Sequence, residues 1–158
     1  MSTSRSRGAA VVAVFDQHDR VLLLRRGPTA PWRPGWLNCP GGHIEPGERP
    51  ADAACRETLE EAGLIISPMF LFRRSGLFAY GARVLIGRSV ETTEQPFSET
   101  LDNRSVKCKL QSVMSLDGEH DAYMWVKLSE LPEHCVPSCF EIREWLLQDL
   151  QRRKLASS

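Results

Sequence analysis

The sequence predicts an α+β domain in which a mixed central sheet lies between helical layers, as an α/β/α sandwich. The order of the predicted elements is strands, a helix, more strands and a final helix. A length of 158 residues suits one domain better than two. Apolar residues make up 42% of the chain and charged residues 25%, the balance of an ordinary globular domain with a hydrophobic core.

The first half of the chain is expected to form two strands, a loop and a helix. Residues 8–15 and 21–24 are β-branched and aliphatic runs joined by a polar turn. Residues 27–42 contain repeated prolines and glycines, which indicates a loop without regular structure. A helix is predicted over residues 50–62, with Pro50 in its first turn and Gly63 as a left-handed stop. We expect a flexible tail at residues 1–7 and a single domain over residues 8–158.

The second half is expected to form four strands and a long helix. The strands are predicted at residues 65–72, 78–86, 106–113 and 123–128, with an exposed polar excursion at 91–105. Ser138 and Glu141 have the spacing of a capping box at the start of the helix. Apolar side chains then recur at helical spacing, at Ile142, Trp145, Leu146 and Leu150.

Charge and cysteine content exclude several classes of protein. The chain has 20 basic and 20 acidic residues, which gives no support for a general nucleic-acid-binding or membrane-surface role. We therefore expect no nucleic-acid partner and no membrane partner. Five cysteines at irregular spacings predict reduced thiols in a cytoplasmic protein rather than a disulfide framework. The spacing of His134, Cys135 and Cys139 fits no common zinc site.

The helix predicted at residues 50–62 carries an unusual cluster of acidic side chains. A helical wheel places five residues on an arc that can pack against a sheet, namely Ala51, Cys55, Thr58, Leu59 and Ala62. Glu57, Glu60 and Glu61 lie together on the opposite side, where each like-charge pair destabilises a helix by roughly 0.2–0.5 kcal/mol. A divalent cation would compensate for this repulsion, because Mg²⁺ binds carboxylate oxygens. A solvated acidic face is the other interpretation, and the helix alone leaves both open.

The residues before the helix favour the metal, because they complete a known motif. Gly41, Gly42 and Gly47 allow the backbone to turn sharply and to approach a ligand. Residues 42–64 resemble the Nudix box, in which Gly, Glu, Arg-Glu, Glu-Glu and Gly recur at fixed spacing. All seven fixed positions are matched, at Gly42, Glu48, Arg56, Glu57, Glu60, Glu61 and Gly63. A chance match is on the order of one in a million. Thr58 departs from the pattern, which prefers an aliphatic residue there.

The resemblance implies a fold, a cofactor and an activity. It implies a Nudix-type sandwich and a pyrophosphohydrolase that cleaves a phosphoanhydride bond in a nucleoside diphosphate derivative. Mg²⁺ or Mn²⁺ would be bound by the three helix glutamates, with the Gly41 carbonyl as a further ligand. Arg56 would brace the preceding loop by pairing with Glu48. One of the box glutamates, or Glu119 in a later loop, would remove the proton from the attacking water.

Residues that recognise the substrate are harder to identify from sequence. Arg25 and Arg26 end a strand beside the expected site and could bind phosphate, although neighbouring strand residues point in opposite directions. Asn38 and Trp36 are candidates for contact with a base, and Tyr80 resembles a weak mark of dinucleoside polyphosphate hydrolases. The expected partner is a small nucleotide, a nucleoside triphosphate or a dinucleoside polyphosphate. Monomer and homodimer both remain open.

Two other interpretations share the fold. A non-catalytic Nudix-fold module that binds or senses nucleotides would normally lack some box glutamates, and none is lacking here. A Nudix-fold isomerase acting on a prenyl diphosphate would need its own cysteine and glutamate pair, which the sequence does not reveal. A fold alone does not decide among these activities, so the metal-site residues carry the preference for a hydrolase.

Overall fold

The computed structural model describes residues 7–86, 110–111 and 118–158. In chain order its elements are β1 (Ala9–Phe15), β2 (Arg20–Arg26), β3 (Leu37–Asn38), β4 (Gly41–His43), α1 (Pro50–Ala62), β5 (Met69–Arg74), β6 (Leu77–Arg83), β7 (Leu85–Ile86), β8 (Leu110–Gln111), β9 (His120–Lys127) and α2 (Pro137–Ala156). A single 3₁₀ turn, Leu128–Glu130, follows β9. The predicted excursion at 91–105 and residues 1–6 of the predicted tail lie outside the described residues.

Seven of the strands form one mixed sheet. Its order is β3-β2-β1-β6-β5, with β4 also paired to β1 and β9 also paired to β2. β1 and β6 run parallel, whereas the other pairs in this sheet are antiparallel. β1 and β2 pair only beside their connecting turn, where Phe15 faces Val21. Because β3 pairs with β2 and β4 pairs with β1, residues 37–43 enter the sheet between two strands that are adjacent in sequence.

The sheet has a hydrophobic layer and a helix on each face, which confirms the predicted α/β/α sandwich. Val12 and Val14 point into the layer covered by α1, where they meet Ala54 and Leu64. The alternate residues Val11 and Ala13 point into the opposite layer, which α2 covers with Cys139 and Ile142. Successive strand residues face opposite sides of a sheet, so a strand buried on both sides needs a continuous apolar run. That requirement accounts for the unbroken aliphatic sequence of β1.

Several predicted boundaries differ from the structure for identifiable reasons. The loop predicted at 27–42 contains β3 and β4, because its last residues find partners on β2 and β1. The strand predicted at 65–72 starts only at Met69, directly after Pro68, which has no backbone N–H to donate. The strand predicted at 78–86 is divided into β6 and β7. The strand predicted at 123–128 begins three residues earlier, at His120.

The two helices also correct the sequence analysis in detail. The capping-box prediction is wrong: α2 begins at Pro137, its N-cap is Val136, and no side chain caps it. Proline fixes φ near the helical value and so starts the helix before Ser138 can act as a cap. The predicted packing arc of α1 is also displaced, because Leu59 is 52% exposed while Glu61 is 7% exposed. Neither helix has the length and apolar character needed to cross a membrane among the residues that the structure describes.

The described cysteines are free thiols, as the sequence predicted. Cys39, Cys55, Cys135 and Cys139 form no disulfide, and Cys108 lies outside the described residues. The Cys39 and Cys139 sulfurs are 3.8 Å apart in the layer beneath α2. A hydrogen bond with Cys139 and burial raise the pKa of the Cys135 thiol. These thiols therefore behave as small core residues rather than as reactive nucleophiles.

Replacing Gly63 with alanine tests the helix stop. Gly63 has φ 68° and donates its N–H to the Leu59 carbonyl, a left-handed conformation that strains other residues. Gly63→Ala should lower the free energy of unfolding by about 1 kcal/mol and the Tm by roughly 2–4 °C. Gly81→Ala is the matched control, because its new Cβ would lie 3.5 Å from the nearest Leu71 atom, an ordinary contact. Thermal unfolding that shows the same loss in both variants would contradict this account.

Candidate active site

The candidate site begins where β4 runs beside the second half of α1. In the β1–β4 ladder Ala10 lies opposite Gly42, and Val12 donates its N–H to the Pro40 carbonyl. Alternate residues of an antiparallel strand turn their N–H and C=O groups to opposite edges, so those of Gly41 point away from β1. The Gly41 N–H donates to Glu61 Oε2 at 3.0 Å. The Gly41 carbonyl therefore faces the same edge as the Glu61 carboxylate, and its role as a metal ligand stays a prediction.

Other groups approach the backbone closely at both glycines, Gly41 and Gly42. A Cβ at position 41 would overlap the Ala10 carbonyl oxygen of β1. A Cβ at position 42 would lie 2.5 Å from the Glu57 carboxylate carbon. Two of the three helix glutamates thus place their carboxylates directly on the Gly41–Gly42 backbone.

Arg56 links the loop before α1 to the acidic residues of the helix. Its Nε and Nη2 donate to the two oxygens of Glu48 at 2.8 and 3.0 Å, so the predicted pairing is present. Nη2 also donates to the His43 carbonyl at 3.1 Å. Nη1 donates to Glu57 at 2.9 Å and approaches Glu60 at 3.4 Å. One guanidinium therefore contacts three carboxylates and joins both ends of the turn between β4 and α1.

These contacts shift the pKa values of Glu48 and Arg56. The hydrogen bond from Arg56, with another from the Glu45 N–H, holds the pKa of Glu48 below its usual value. The same hydrogen bond raises the pKa of Arg56. Both groups are therefore charged at neutral pH, and the pair acts as a fixed strut.

The three box glutamates differ in exposure. Glu61 is buried, the Glu57 side chain is 15% exposed and the Glu60 side chain is 57% exposed. Glu57 and Glu61 meet the same glycine backbone, whereas Glu60 is joined to Glu57 only through Arg56. Within the described ranges, no three carboxylate, imidazole or thiol groups converge on one point as the ligands of a bound metal do. The carboxylates are held instead by Arg56 and by the Gly41 N–H.

Arg25 and Arg26 already have carboxylate partners. Arg25 Nε donates to Asp121 at 2.7 Å, and this bond holds the pKa of Asp121 below its usual value. Arg26 Nη2 lies 3.4 Å from Glu119 Oε1, and its Nε donates to the Trp32 carbonyl at 2.6 Å. Glu119 is the predicted alternative base. Its side chain is 48% exposed and lies at the start of β9, against Arg26.

Asn38 and Tyr80 occupy interior positions. Asn38 is 8% exposed, donates to the Cys39 carbonyl at 2.9 Å, and its Oδ1 is 3.3 Å from His120 Nε2. Tyr80 is 6% exposed and packs edge-on against Phe70 in the layer beneath α1. Burial raises the pKa of the Tyr80 hydroxyl. The structure gives both side chains packing or hydrogen-bonding roles, and their contact with a substrate stays a prediction.

Trp36 lies in the loop before β3 and stacks on an arginine that the sequence analysis did not identify. Arg33 Cζ is 4.4 Å from the Trp36 ring centroid and 4.9 Å from that of Trp32. Asp121, the partner of Arg25, and His120, the partner of Asn38, were also not predicted from the sequence. No local pattern could have found them, because they lie 96 and 82 residues away in sequence.

The two glycines of β4 should respond differently to the same substitution. Gly41→Ala places its Cβ on rigid backbone and should destabilise the fold by roughly 1–3 kcal/mol or more. Gly42→Ala meets the end of a flexible side chain, so the Glu57 carboxylate should swing aside at a cost below about 1 kcal/mol. Thermal unfolding of both variants measures the difference, and a crystal structure of Gly42→Ala should show Glu57 displaced. A larger loss of stability in Gly42→Ala would refute this geometry.

Acid stability tests the pair formed by Glu48 and Arg56. Because the folded pKa of Glu48 is depressed, its contribution is complete above the usual carboxyl pKa of 4.5 and is lost as the pH falls through the lower folded value. Glu48→Gln removes this titration. The Tm of the wild type should therefore fall more steeply below about pH 4.5 than that of the variant. Glu130→Gln, an exposed control, should follow the wild type; identical slopes in all three proteins would argue against the strut.

Comparison with known proteins agrees with this geometry. The sequence matches the NUDIX domain over residues 4–146. It is 28% identical over 148 residues to an RNA pyrophosphohydrolase from Gluconacetobacter diazotrophicus, covering 88% of this chain and 87% of that protein. Six other curated relatives are matched over 23% to 55% of their own length.

Solved structures show the same fold at low sequence identity. The MutT protein from Methanosarcina mazei has a TM-score of 0.61 and 20% identity, covering 96% of this chain and 99% of that one. An Ap4A hydrolase from C. elegans, in a binary complex, has a TM-score of 0.56 and 21% identity, covering 95% and 99%. With the domain match extending over most of its length, this chain belongs to the Nudix family, and it is a hydrolase that acts on pyrophosphate bonds.

Proposed function

We propose that this protein is a divalent-metal-dependent hydrolase that cleaves a phosphoanhydride bond in a nucleoside triphosphate or a dinucleoside polyphosphate. The observation that carries the proposal is the position of Glu57 and Glu61, whose carboxylates both rest on the Gly41–Gly42 backbone. Burying acidic side chains at the negative end of a helix is unfavourable without a compensating charge. Arg56 supplies one positive charge to this cluster, and a bound cation would stabilise it further.

The residues present fit Mg²⁺ or Mn²⁺. Glu57, Glu60 and Glu61 offer only carboxylate oxygens, and the Gly41 carbonyl faces the same edge. Hard oxygen ligands suit these ions and not softer metals. A cation would take over the role that Arg56 and the Gly41 N–H now share, and the exposed Glu60 side chain can rotate toward it. When bound, the ion would neutralise phosphate oxygens and acidify a water molecule.

The remaining steps belong to residues of this chain. Arg56 holds Glu57 in place and keeps the β4–α1 turn rigid through Glu48 and the His43 carbonyl. A carboxylate removes the proton from water, and the water oxygen attacks one phosphorus of the anhydride. The bond from that phosphorus to the bridging oxygen breaks, and the bridging oxygen leaves with the rest of the phosphate chain. A box glutamate is one candidate for this base. Glu119 is the other, and its carboxylate lies 3.4 Å from Arg26 Nη2.

The proposed substrate class follows from relatives of different kinds. One curated relative is an RNA pyrophosphohydrolase, and one structural neighbour is an Ap4A hydrolase. The second name agrees with the small-nucleotide class that the sequence suggested, whereas the first names RNA, which the sequence analysis did not expect as a partner. A non-catalytic binding module is the alternative; it would not require all three glutamates to be present and two of them to be placed on the glycine backbone.

We further infer a cytoplasmic location, because the described cysteines are all unpaired thiols. Reduced thiols persist in the cytoplasm and rarely in oxidising compartments.

Glu61→Gln tests the proposal directly. The purified wild type, supplied with Mg²⁺, should release phosphate, pyrophosphate or a nucleotide from at least one nucleoside triphosphate, dinucleoside polyphosphate or RNA with a 5′-terminal triphosphate, with products separated by chromatography. Chelating the metal should abolish this release. Glu61→Gln should lower turnover by roughly two orders of magnitude, because a metal ligand loses its charge.

The fold of that variant should persist, since the glutamine side-chain oxygen can still accept the Gly41 N–H. Glu130→Gln removes one carboxylate charge far from the glycine backbone and should keep wild-type turnover. Wild-type turnover by Glu61→Gln would contradict the metal site. Nucleotide binding without any hydrolysis by the wild type would favour the non-catalytic alternative.

A further inference from the structure

Arg33 is fixed between two aromatic residues in the loop between β2 and β3. Its guanidinium carbon lies 4.9 Å from the Trp32 ring centroid and 4.4 Å from that of Trp36. Its backbone has φ 45°, a left-handed conformation that is uncommon for a residue other than glycine. Such strain persists only where the surroundings enforce it, and it often accompanies a functional side chain.

The guanidinium of Arg33 has no acceptor within the described part of the chain. The arginines already described at the candidate site each have a carboxylate partner: Arg25 pairs with Asp121, Arg26 with Glu119 and Arg56 with Glu48. Cation–π contacts use the faces of a guanidinium and leave the N–H groups along its edge available. Arg33 therefore presents an uncompensated positive charge with its hydrogen-bond donors unused.

The loop that carries Arg33 is closed by backbone and side-chain bonds. The Arg26 N–H donates to the Trp36 carbonyl at 2.9 Å, and the Gly35 N–H donates to the Arg26 carbonyl at 2.7 Å. The Arg26 side chain, itself 13% exposed, donates to the Trp32 carbonyl at 2.6 Å and stacks under the Trp32 ring at 5.5 Å. These bonds hold the loop backbone that carries the two indoles. Arg33 then stacks on both indole rings.

The same chain segment connects this loop to the glutamate site. Trp36 is followed by β3, where Asn38 pairs with Leu24, and then by the glycines of β4. Trp36 and Gly41 are five residues apart, so their Cα atoms are separated by at most about 18 Å. A nucleoside that carries two or three phosphates is comparable in length to that separation.

We propose that Arg33, oriented by Trp32 and Trp36, binds a phosphate oxyanion of the substrate while the box glutamates act on the adjacent anhydride. The inference rests on the proposed function, and it assigns to Arg33 the phosphate-binding role that the sequence had suggested for Arg25 or Arg26. A planar guanidinium can bind two phosphate oxygens at once. Stacking restricts its motion before the ligand arrives, so little rotamer freedom is lost on binding.

Equilibrium binding separates this role from catalysis. The probe is a nucleoside triphosphate in which a methylene group replaces the α,β-bridging oxygen, titrated by calorimetry in the presence of Mg²⁺. Arg33→Ala should weaken the affinity for this probe by about tenfold or more, because hydrogen bonds to charged groups are lost. Arg33→Lys keeps the charge but not the planar fork, so its affinity should fall between those of the wild type and Arg33→Ala.

Four further measurements distinguish phosphate binding from support of the loop. The affinity of Arg33→Ala should depend less steeply on salt than that of the wild type, added guanidinium ion should partly restore it, and the Tm should be unchanged. On a hydrolysed substrate, KM should rise more than kcat falls. Arg143→Ala is the matched control, because Arg143 stacks on Phe140 at 5.1 Å on α2, away from the glycine backbone; it should bind the probe like the wild type.

Two results would overturn the inference, and they differ in what else they affect. If the wild type hydrolyses nucleotides and Arg33→Ala binds the probe as tightly as the wild type, Arg33 has no phosphate-binding role while the proposed function stands. If the wild type neither binds the probe nor hydrolyses nucleotides, the proposed function fails together with this inference.

Discussion

The guanidinium of Arg56 is the contact on which the candidate site depends. It joins Glu48 in the loop, the His43 carbonyl at the end of β4, and Glu57 and Glu60 on α1. Without it, three carboxylates would repel one another at the negative end of a helix. Its side chain is only 25% exposed, so these charge-assisted bonds are less screened than those of a surface ion pair. Arg56 therefore serves both the fold and the candidate site, because the same guanidinium holds the turn before α1 and orients Glu57 and Glu60.

The part of the site that the sequence predicted is the part that local spacing determines. Glu48 and Arg56 lie eight residues apart across one turn and one helix start, and the three glutamates follow on that same helix. Their relative positions follow from helix geometry once the helix is identified. The contacts of Arg25 and Arg26 depend on how β9 pairs with β2, almost a hundred residues later. A single sequence contains no local signal for that pairing.

The orientation of α1 shows a second limit of the pattern. The sequence predicted where the helix begins and ends, but only Thr58 and Ala62 of its predicted packing arc are buried. The pattern turned that arc away from Glu61, since a carboxylate counts as polar in any such pattern. In the folded chain Glu61 turns inward because the Gly41 N–H, left unpaired by the β1 ladder, needs an acceptor. The need for that acceptor arises only once β4 pairs with β1, so the helix sequence alone does not show it.

The loop between β2 and β3 begins and ends on paired backbone, with Arg26 bonded to both Gly35 and Trp36. Its interior can therefore change in length or sequence without moving the strands at its base. The Gly41–Gly42 backbone and the box glutamates lie beyond that closure and are insulated from such changes. Substitutions in the loop can therefore alter the surface around Arg33 while the arrangement of Glu57 and Glu61 is kept.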